Sequence, residues 1–340
     1  MEKTVITTII PTCNRPETLK RAIESVLHQI HPGIKICIYD NSSDDRTEKM
    51  VNALWGSDPR IHYWKHPVPI SAQENFSFGM SQVTTPFFSF LADDDVLLPD
   101  FYQLALSLFE RFPDAHFFLG STLNISDKGV IRGVPANAWD NKEYYLPHEG
   151  IIPIIRNYIN WTGAVFRITV RDQVGEIDQT IKIIDFDFVL RAASMCSFVF
   201  SKIPCALFIE HSASYSGNAS LKLIWPGLEL IEEKILKTLS DNEPLAVLFH
   251  QEMQQHLRCL LRHFLVRSFL KSERAECEKI IQIYNEKFGK KKWHSFLLQA
   301  LKSRSTHRLF SSLIKLRRGL IGFKTTFQYF RLYHVVKSVQ

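Results

Sequence analysis

The sequence lacks three features that would place the protein outside the cytoplasm or make it a metal-finger domain. Its six cysteines show no metal-finger spacing and lie mostly in apolar segments, which predicts buried thiols in a reducing compartment. No apolar run approaches the roughly 20 residues needed to span a bilayer. No secretion signal is found at Met1-Glu2-Lys3. We therefore expect a cytoplasmic protein, soluble or peripheral to a membrane.

Acidic residues are missing from the last forty positions of the chain. Residues 301–340 contain nine lysines and arginines and no aspartate or glutamate, so the net charge of +6 for the whole chain leaves −3 for residues 1–300. Aromatic and aliphatic residues alternate with the basic ones, which is typical of an amphipathic segment attracted to anionic lipid. The alternative is a helical tail that packs its aromatic side chains on the protein. A nucleic-acid partner is not favoured, because no reading motif accompanies the basic residues.

With 45% hydrophobic residues among 340, the chain can bury a large core, and its pattern predicts an α/β protein. From Thr7 to Asp100, short strands that are apolar on both faces alternate with amphipathic helices, as a parallel sheet between helices requires. The predicted strands are residues 5–10, 34–39, 61–64 and 86–91, and the predicted helices are residues 16–28, about 46–55 and 71–82. Further helices are predicted between residues 223 and 288.

Three consecutive aspartates, Asp93, Asp94 and Asp95, follow the fourth predicted strand. Adjacent carboxylates repel one another unless a cation or several hydrogen-bond donors lie among them. Carboxylate oxygens suit Mg²⁺ or Mn²⁺, which complete their coordination with water and with phosphate oxygens of a substrate. The alternative is a solvated turn in which one aspartate caps the next helix. Ligands bind beyond the carboxyl ends of the strands in open α/β sheets, so this turn and those after the first two strands should border one crevice.

These three turns resemble those of the family 2 glycosyltransferases. The resemblance rests on residues 9–15 (IIPTCNR), 39–47 (YDNSSDDRT) and 90–95 (FLADDD), and it extends over about the first two hundred residues. It implies the GT-A fold, a Rossmann-like mixed sheet flanked by helices, here followed by a helical C-terminal region. It also implies transfer of a sugar from a nucleotide-diphosphate donor to a hydroxyl, with inversion at the anomeric carbon and with Mn²⁺ or Mg²⁺ bridging the diphosphate.

The resemblance implies a set of nucleotide-binding residues in the first hundred positions. The residues implied to border the base are Pro11, Thr12, Asn14 and Asn75. The position of Asp40 implies a hydrogen bond from a pyrimidine ring, which makes a UDP-sugar the expected donor. Alternatively, Asp40 bonds its own turn backbone. Glu74 departs from the family, which commonly has an arginine there.

Within the aspartate triplet, the resemblance implies that Asp93 contacts the ribose, that Asp95 binds the metal and that Asp94 is a second metal ligand or a helix cap. Ala92 stands where many family members have a further aspartate, so these roles can shift by one residue. His211 occupies a position where family members often have a histidine, which completes the metal shell or offsets phosphate charge. The alternative for His211 is a structural role.

The acceptor side of the predicted crevice is assigned to residues beyond position 160. Residues 161–167 (WTGAVFR) resemble the segment that lines the sugar and acceptor cleft, so Trp161, Thr162 and Gly163 are placed there, together with Arg191. Residues 184–191 (IDFDFVLR) resemble the start of the catalytic helix. Asp185 matches the general base that takes the proton of the acceptor hydroxyl. Alternatively, Asp185 caps that helix, and Asp187 pairs with Arg191 at i,i+4.

The predicted organisation is a catalytic domain over residues 1–220, with a nucleotide-binding half to about 100 and an acceptor half after it, then a helical region over 221–300 and the basic tail over 301–340. Residues 124–150 are expected to form a loop over the cleft. The predicted acceptor is a glycan or lipid-linked glycan of a surface polysaccharide, and the predicted location is the inner face of the cell membrane. The alternatives are a nucleotidyltransferase, which the absence of a glycine-rich phosphate loop disfavours, and a non-catalytic glycan-binding protein of the same fold.

Overall fold

The computed structural model describes residues 5–30, 33–211 and 220–301, together with residues 308, 311, 312 and 314. The chain divides into two compact units, with the boundary at residue 218. The first unit is an α/β domain and the second is helical. All of the predicted site residues belong to the first unit.

The strands of the first unit form one mixed sheet. Eight of them follow the order β3-β2-β1-β4-β9-β6-β10-β5, while β7 pairs with β6 and β8 pairs with β10. The strands are β1 (Ile6–Thr12), β2 (Ile34–Asp40), β3 (Ile61–Lys65), β4 (Phe87–Phe90), β5 (Val96–Leu97), β6 (Phe117–Ser126), β7 (Ile131–Gly133), β8 (Tyr144–Tyr145), β9 (Ala164–Arg167) and β10 (Phe198–Glu210). This architecture confirms the predicted mixed sheet flanked by helices.

The first four strands are parallel, as their sequence predicts. In the pairing of β1 with β2, Thr12 lies opposite Asp40, and β4 flanks β1 on the other side. The turns that follow β1, β2 and β4 therefore leave the sheet at the same edge. The aspartate triplet begins three residues after the end of β4, so this edge collects the polar turns that the sequence singles out.

Antiparallel strands complete the sheet and bring the second half of the unit beside the first. Strand β9 pairs antiparallel with both β4 and β6, while β10 runs parallel to β6. Aromatic rings fill the space around β9, because Phe166 stacks on Phe88 and on Phe117 at centroid distances of 5.3 and 5.6 Å. This packing fixes residues 161–167 next to the aspartate turn.

In the first unit, helices cover both faces of this sheet. The second unit consists of further helices. In the first unit they are α1 (Pro16–Leu27), α2 (Arg46–Trp55), α3 (Ala72–Ser81), α4 (Phe101–Arg111), α5 (Ile151–Arg156), α6 (Ile168–Val174) and α7 (Ile184–Met195). In the second unit they are α8 (Leu221–Thr238), α9 (Glu243–Leu270), α10 (Arg274–Phe288) and α11 (Lys292–Ala300). None of the helices in the described part of the chain is long and apolar enough to cross a membrane.

One expectation differs from the structure, and another cannot be compared with it. Residues 124–150 are not simply a loop, because β6 continues to Ser126 and both β7 and β8 pair within the sheet. Aromatic packing explains the order there, since Tyr145 stacks on Phe198 at 4.8 Å and Trp139 stacks on Phe200 at 4.4 Å. The basic tail lies outside the described residues, apart from positions 301, 308, 311, 312 and 314.

Candidate active site

A cavity of about 460 Å³ opens at the carboxyl edge of the parallel strands. It is lined by residues of the turns after β1, β2 and β4, by the start of α3, and by residues 160–162 and 182–185 from the other half of the unit. The predicted site residues in its wall are Pro11, Thr12, Asn75, Asp93, Asp94, Asp95, Trp161, Thr162 and Asp185. Residues from both halves of the predicted catalytic domain therefore meet in one cavity.

Asp93 is held by the turn after β1. Thr12 Oγ1 donates a 2.7 Å hydrogen bond to Asp93 Oδ2, and Arg15 Nη1 lies 3.2 Å from Oδ1. Burial, followed by the neighbouring charge of Asp94, raises the pKa of Asp93 to about 6, although the contacts with Arg15 and Thr12 act in the opposite direction. The turns after β1 and β4 are thus joined by direct side-chain bonds.

One carboxylate oxygen of Asp94 lies within hydrogen-bond distance of two basic side chains. Its Oδ2 lies 3.0 Å from Arg15 Nη1 and 2.9 Å from His211 Nε2. His211 follows the end of β10, so the contact joins two parts of the chain that are far apart in sequence. Asp94 and His211 together present one carboxylate and one imidazole at the edge of the cavity.

Asp95 is fixed inside the protein by two hydrogen bonds. Thr162 Oγ1 donates to its Oδ2 at 2.6 Å, and the backbone N–H of Ile209 donates to its Oδ1 at 3.0 Å. The residue is 1% exposed, and burial raises its pKa well above the usual value. Both of its oxygens accept from the segments that enclose the site, so Asp94, with a side chain that is 12% exposed, is the more accessible carboxylate of the two.

The donor set at Asp94 and His211 suits a divalent cation that takes further ligands from its substrate. Within residues 5–30, 33–211 and 220–301, no three histidine, cysteine, aspartate or glutamate side chains converge as a complete metal cage. Mg²⁺ and Mn²⁺ sites commonly use one or two protein carboxylates plus substrate phosphates and water. The two residues therefore fit a cation bound together with a diphosphate.

Asp40 is not where the resemblance implies. It is completely buried, it accepts a 2.8 Å bond from the backbone N–H of Ser42, and it accepts a 2.5 Å bond from Tyr63 Oη. The neighbouring Asn41 lines the cavity instead, and its side-chain amide pairs with the backbone N–H and C=O of Ile70. Both oxygens of Asp40 are used within its own turn and by β3, as the alternative interpretation expects.

Asn14 supports the cavity from behind its wall. It has a φ of +57°, a conformation that asparagine tolerates better than most residues. Its backbone N–H donates to Ser42 Oγ at 2.7 Å, and its Oδ1 accepts a 3.0 Å bond from the N–H of Ser43. Asn14 is not part of the cavity lining. We therefore infer that it determines the conformation of the turn and does not contact the base.

Asn75 lies in the cavity wall and fixes α3 to the sheet. Its Nδ2 donates a 2.9 Å hydrogen bond to the backbone carbonyl of Tyr39, while its Oδ1 lies 2.9 Å from His66 Nε2. The helix begins with a capping box formed by Ser71 and Glu74, in which each side chain accepts from the other's backbone N–H. This box gives Glu74 a structural role at the position where family members commonly have an arginine.

Asp185 enters the cavity from the first turn of α7. The hydroxyl of Tyr158 donates a 2.7 Å bond to Asp185 Oδ2. Burial raises the pKa of Asp185, while the hydrogen bond from Tyr158 lowers it. A carboxylate in this environment is a stronger base than an exposed one, and Tyr158 fixes its orientation.

Arg191 lies away from the cavity that the sequence assigns to it. Its guanidinium bonds Asp187 Oδ2 at 2.9 Å and also bonds the carbonyls of Val174 and Glu176. These carbonyls flank Gly175, which has a φ of +81°. Arg191 therefore fixes the corner between α6 and α7, and it forms the i,i+4 pair with Asp187, although Asp187 is buried and the pair does not lie on the helix surface.

Residues 161–163 form a 3₁₀ turn that leads into β9. Trp161 stacks on Phe90 at a centroid distance of 4.1 Å, which fixes the indole against the end of β4. A Cβ atom on Gly163 would lie 2.5 Å from the carbonyl oxygen of Gly120, so only glycine permits this approach. Trp161 and Thr162 line the cavity, whereas Gly163 supports them from outside its wall.

The sequence interpretation misses several residues of the cavity and its supports. Arg15 and Lys182 add positive charge to the lining, and Lys182 Nζ lies 3.3 Å from Gln73 Oε1. Asn160 also lines the cavity, and its Oδ1 is buried without a hydrogen-bond partner. Arg15 could have been found, because a basic residue in the turn after the first strand must lie near the aspartates. Tyr158 offers no comparable signal.

Comparison with known proteins identifies a family domain in the first half of the chain. Residues 7–170 match the family described as Glycosyl transferase family 2. A GalNAc(5)-diNAcBac-PP-undecaprenol beta-1,3-glucosyltransferase of Campylobacter jejuni is 34% identical over 94 residues, which cover 27% of this chain and 30% of that protein. An abequosyltransferase of Salmonella typhimurium is 30% identical over 115 residues, or 33% of each chain. The chain therefore spans about a third of the length of these two relatives.

Solved structures with similar folds extend over most of the chain. S. aureus TarS 1–349 in complex with UDP-GlcNAc has a TM-score of 0.61 at 13% identity and covers 92% of both chains. The mannosyltransferase PcManGT from Pyrobaculum calidifontis, in complex with GDP-Man and Mn²⁺, has a TM-score of 0.51 at 12% identity and covers 96% of this chain and 88% of that one. At these identities the likeness establishes the fold, which is GT-A.

Proposed function

We propose that this chain, whose residues 7–170 match glycosyl transferase family 2 and whose fold is GT-A, is a metal-dependent inverting glycosyltransferase. It moves a sugar from a nucleotide-diphosphate donor to a hydroxyl of a glycan or lipid-linked glycan in bacterial surface polysaccharide synthesis. The observation that carries the proposal is one cavity lined by both the Asp93–Asp94 pair and Asp185. The pair comes from the turn after β4, and Asp185 comes from α7, so the two kinds of carboxylate enter from different elements.

The donor side of the proposal uses Asp94 and His211 to hold Mn²⁺ or Mg²⁺. A divalent cation there neutralises the diphosphate as it leaves the anomeric carbon. Asp93, bonded to Thr12 beside Pro11, is the carboxylate available for the ribose. A UDP-sugar is the first donor to test, because TarS is known in complex with UDP-GlcNAc. GDP-mannose is the second, because PcManGT binds GDP-Man.

On the acceptor side, Asp185 accepts the proton of the attacking hydroxyl. Inversion requires that this hydroxyl approach the anomeric carbon from the side opposite the leaving diphosphate, so the base and the metal ligands must come from different parts of the cavity. Burial raises the pKa of Asp185, which increases its strength as a base. We assign the sugar and the acceptor to the neighbouring part of the cavity, which is lined by Trp161 and Thr162 from the segment before β9.

The proposal also includes the acceptor and the cellular location. The Campylobacter relative acts, by its name, on a sugar chain carried by PP-undecaprenol, which favours a lipid-linked acceptor here. A basic and aromatic segment such as residues 301–340 attracts a protein to anionic lipid at the inner face of the membrane. Deleting residues 304–340 should therefore abolish sedimentation with phosphatidylglycerol vesicles, and retained binding would exclude this role for the tail.

A panel of nucleotide sugars tests the donor assignment. Binding of the correct donor together with Mn²⁺ should raise the melting temperature, because a ligand that binds the folded state stabilises it. Asp185→Asn should keep this shift and lose turnover, whereas Asp94→Asn should lose the shift that depends on Mn²⁺. Asp172→Asn, a change of an exposed carboxylate on α6, is the matched control for charge. If no nucleotide sugar stabilises the wild-type protein, the proposed function is wrong.

A further inference from the structure

One guanidinium nitrogen lies between the two aspartates of the proposed donor site. Arg15 Nη1 is 3.2 Å from Asp93 Oδ1 and 3.0 Å from Asp94 Oδ2. The two carboxylates are 8% and 12% exposed at their side chains, and Arg15 is 31% exposed. Charge-assisted hydrogen bonds of this kind are roughly twice as strong as neutral ones. Arg15 thus supplies the aspartate pair with a positive charge from within the chain.

The turn after β1 places Arg15 in this position. Its predecessor, Asn14, has a φ of +57° and is bonded to both Ser42 and Ser43. Its successor, Pro16, begins α1 with a fixed φ. The backbone on both sides of Arg15 is therefore constrained, so the guanidinium is directed at the aspartates by local structure as well as by charge.

The same carboxylate oxygen serves Arg15 and the proposed metal site. Asp94 Oδ2 lies 3.0 Å from Arg15 Nη1 and 2.9 Å from His211 Nε2. A divalent cation placed between Asp94 Oδ2 and His211 Nε2 shares this oxygen with the guanidinium. Two positive charges within a few ångströms repel strongly at a largely buried site, where water screens them poorly. Arg15 and the metal are therefore in conflict over Asp94.

We propose that Arg15 competes with the divalent cation for Asp94, and that a nucleotide diphosphate relieves the competition by offering its oxygens to the guanidinium. This inference rests on the proposed function and deepens it, because it assigns to Arg15 the coupling of metal binding to donor binding. The metal then binds weakly to the protein alone and tightly together with the nucleotide. By thermodynamic reciprocity, the metal raises nucleotide affinity by the same factor.

Replacing Arg15 by an uncharged residue separates its effect on Mn²⁺ binding from the effect of the nucleotide. Without nucleotide, Arg15→Gln and Arg15→Met should bind Mn²⁺ about tenfold more tightly than the wild type, because the nearby positive charge is gone. The factor by which UDP raises Mn²⁺ affinity should fall by a similar amount. Arg15→Lys keeps a positive charge in the turn and should remain close to the wild type in both measurements.

The experiment is a titration of the full chain with Mn²⁺, with free metal measured by electron paramagnetic resonance, in the absence and presence of UDP or GDP. Asp94→Asn is the control that removes the proposed metal ligand. Arg46→Gln is the matched control for loss of an arginine, because Arg46 pairs with Asp44 on the exposed side of the neighbouring turn. Circular dichroism confirms that each variant is folded before titration.

The outcomes separate this inference from the function on which it rests. Tighter Mn²⁺ binding by both neutral variants, with unchanged binding by Arg46→Gln, supports the competition. A second outcome is that the wild type binds Mn²⁺, that Asp94→Asn does not, and that the folded neutral variants of Arg15 bind it no more tightly than the wild type. That outcome overturns only the inference about Arg15. If the wild type binds no Mn²⁺ with or without nucleotide, the metal-dependent function fails and this inference fails with it. A UDP effect on wild-type Mn²⁺ affinity below about threefold also overturns the coupling, since allosteric factors are typically larger.

Discussion

The hydroxyl of Tyr158 donates a 2.7 Å hydrogen bond to Oδ2 of Asp185. Backbone N–H groups of Phe186 and of Asp185 itself also bond this carboxylate and, like Tyr158, lower its pKa. Tyr158 is held in turn by an edge-on contact with Phe186, at a centroid distance of 5.0 Å. The proposed base is therefore oriented by a residue that is 27 positions away in sequence.

Replacing Tyr158 by phenylalanine should move the acidic limb of the pH–rate profile to higher pH. The hydrogen bond from Tyr158 lowers the pKa of Asp185, so its loss raises that pKa, and the base becomes protonated at a higher pH than in the wild type. We expect kcat at neutral pH to fall by less than the 10²–10⁴-fold that a positioned acid–base group contributes, because Asp185 itself is retained. The KM for the donor should change little.

A pH series of donor turnover measures this shift. Tyr144→Phe is the matched control, because Tyr144 stacks on Phe112 and does not line the cavity. An acidic limb that stays in place in Tyr158→Phe would contradict the assigned role of the hydrogen bond, even if kcat falls.

Asp95→Asn should reduce stability more than it reduces metal binding. Asp95 accepts from Thr162 Oγ1 and from the N–H of Ile209, and an asparagine side chain keeps only one acceptor oxygen. The buried group that loses its partner costs about 1–3 kcal/mol of unfolding free energy. Urea unfolding measures this loss, and Thr162→Val should produce a loss of similar size.

Mn²⁺ titration of the same variants distinguishes Asp95 from Asp94. Asp94→Asn should lose most of its Mn²⁺ affinity, whereas folded Asp95→Asn should retain it. The reverse order would restore the assignment that the family resemblance implies, in which Asp95 is the metal ligand.

Arg191→Met should destabilise the protein without weakening donor binding by the folded fraction. Asp187 is 1% exposed and pairs with Arg191, so removal of the guanidinium leaves a buried carboxylate without its cation. Breaking a buried pair in this way costs about 3–5 kcal/mol of unfolding free energy. The double variant with Asp187→Asn should regain part of the loss, because the uncompensated charge is gone.

Chemical unfolding and a nucleotide-sugar binding isotherm, measured on the same preparation, test this prediction. Weaker donor binding at unchanged stability would return Arg191 to the cleft, where the sequence interpretation places it.

The order of elements in the first half of the protein follows from the sequence. Runs that are apolar on both faces, such as residues 34–39, can be stable only inside a sheet covered by helices, and the polar turns that follow them must then emerge at one edge. This argument predicts that the turn of Asp93, Asp94 and Asp95 lies at that edge, whereas the role of each aspartate is implied by the family resemblance. The family resemblance, not this argument, implies the position of Asp185 at the start of a helix.

Tertiary structure decided which member of each polar turn faces the cavity. Asp40 and Asn41 are adjacent, yet Asp40 turns into the protein to meet Tyr63, while Asn41 lines the cavity. Asp94 and Asp95 both line the cavity, but Thr162 and Ile209, 67 and 114 residues away from Asp95, supply donors to Asp95 alone. Sequence pattern fixes the direction of a side chain only where a strand or helix repeats. In a turn, the direction depends on hydrogen-bond partners that distant segments bring to it.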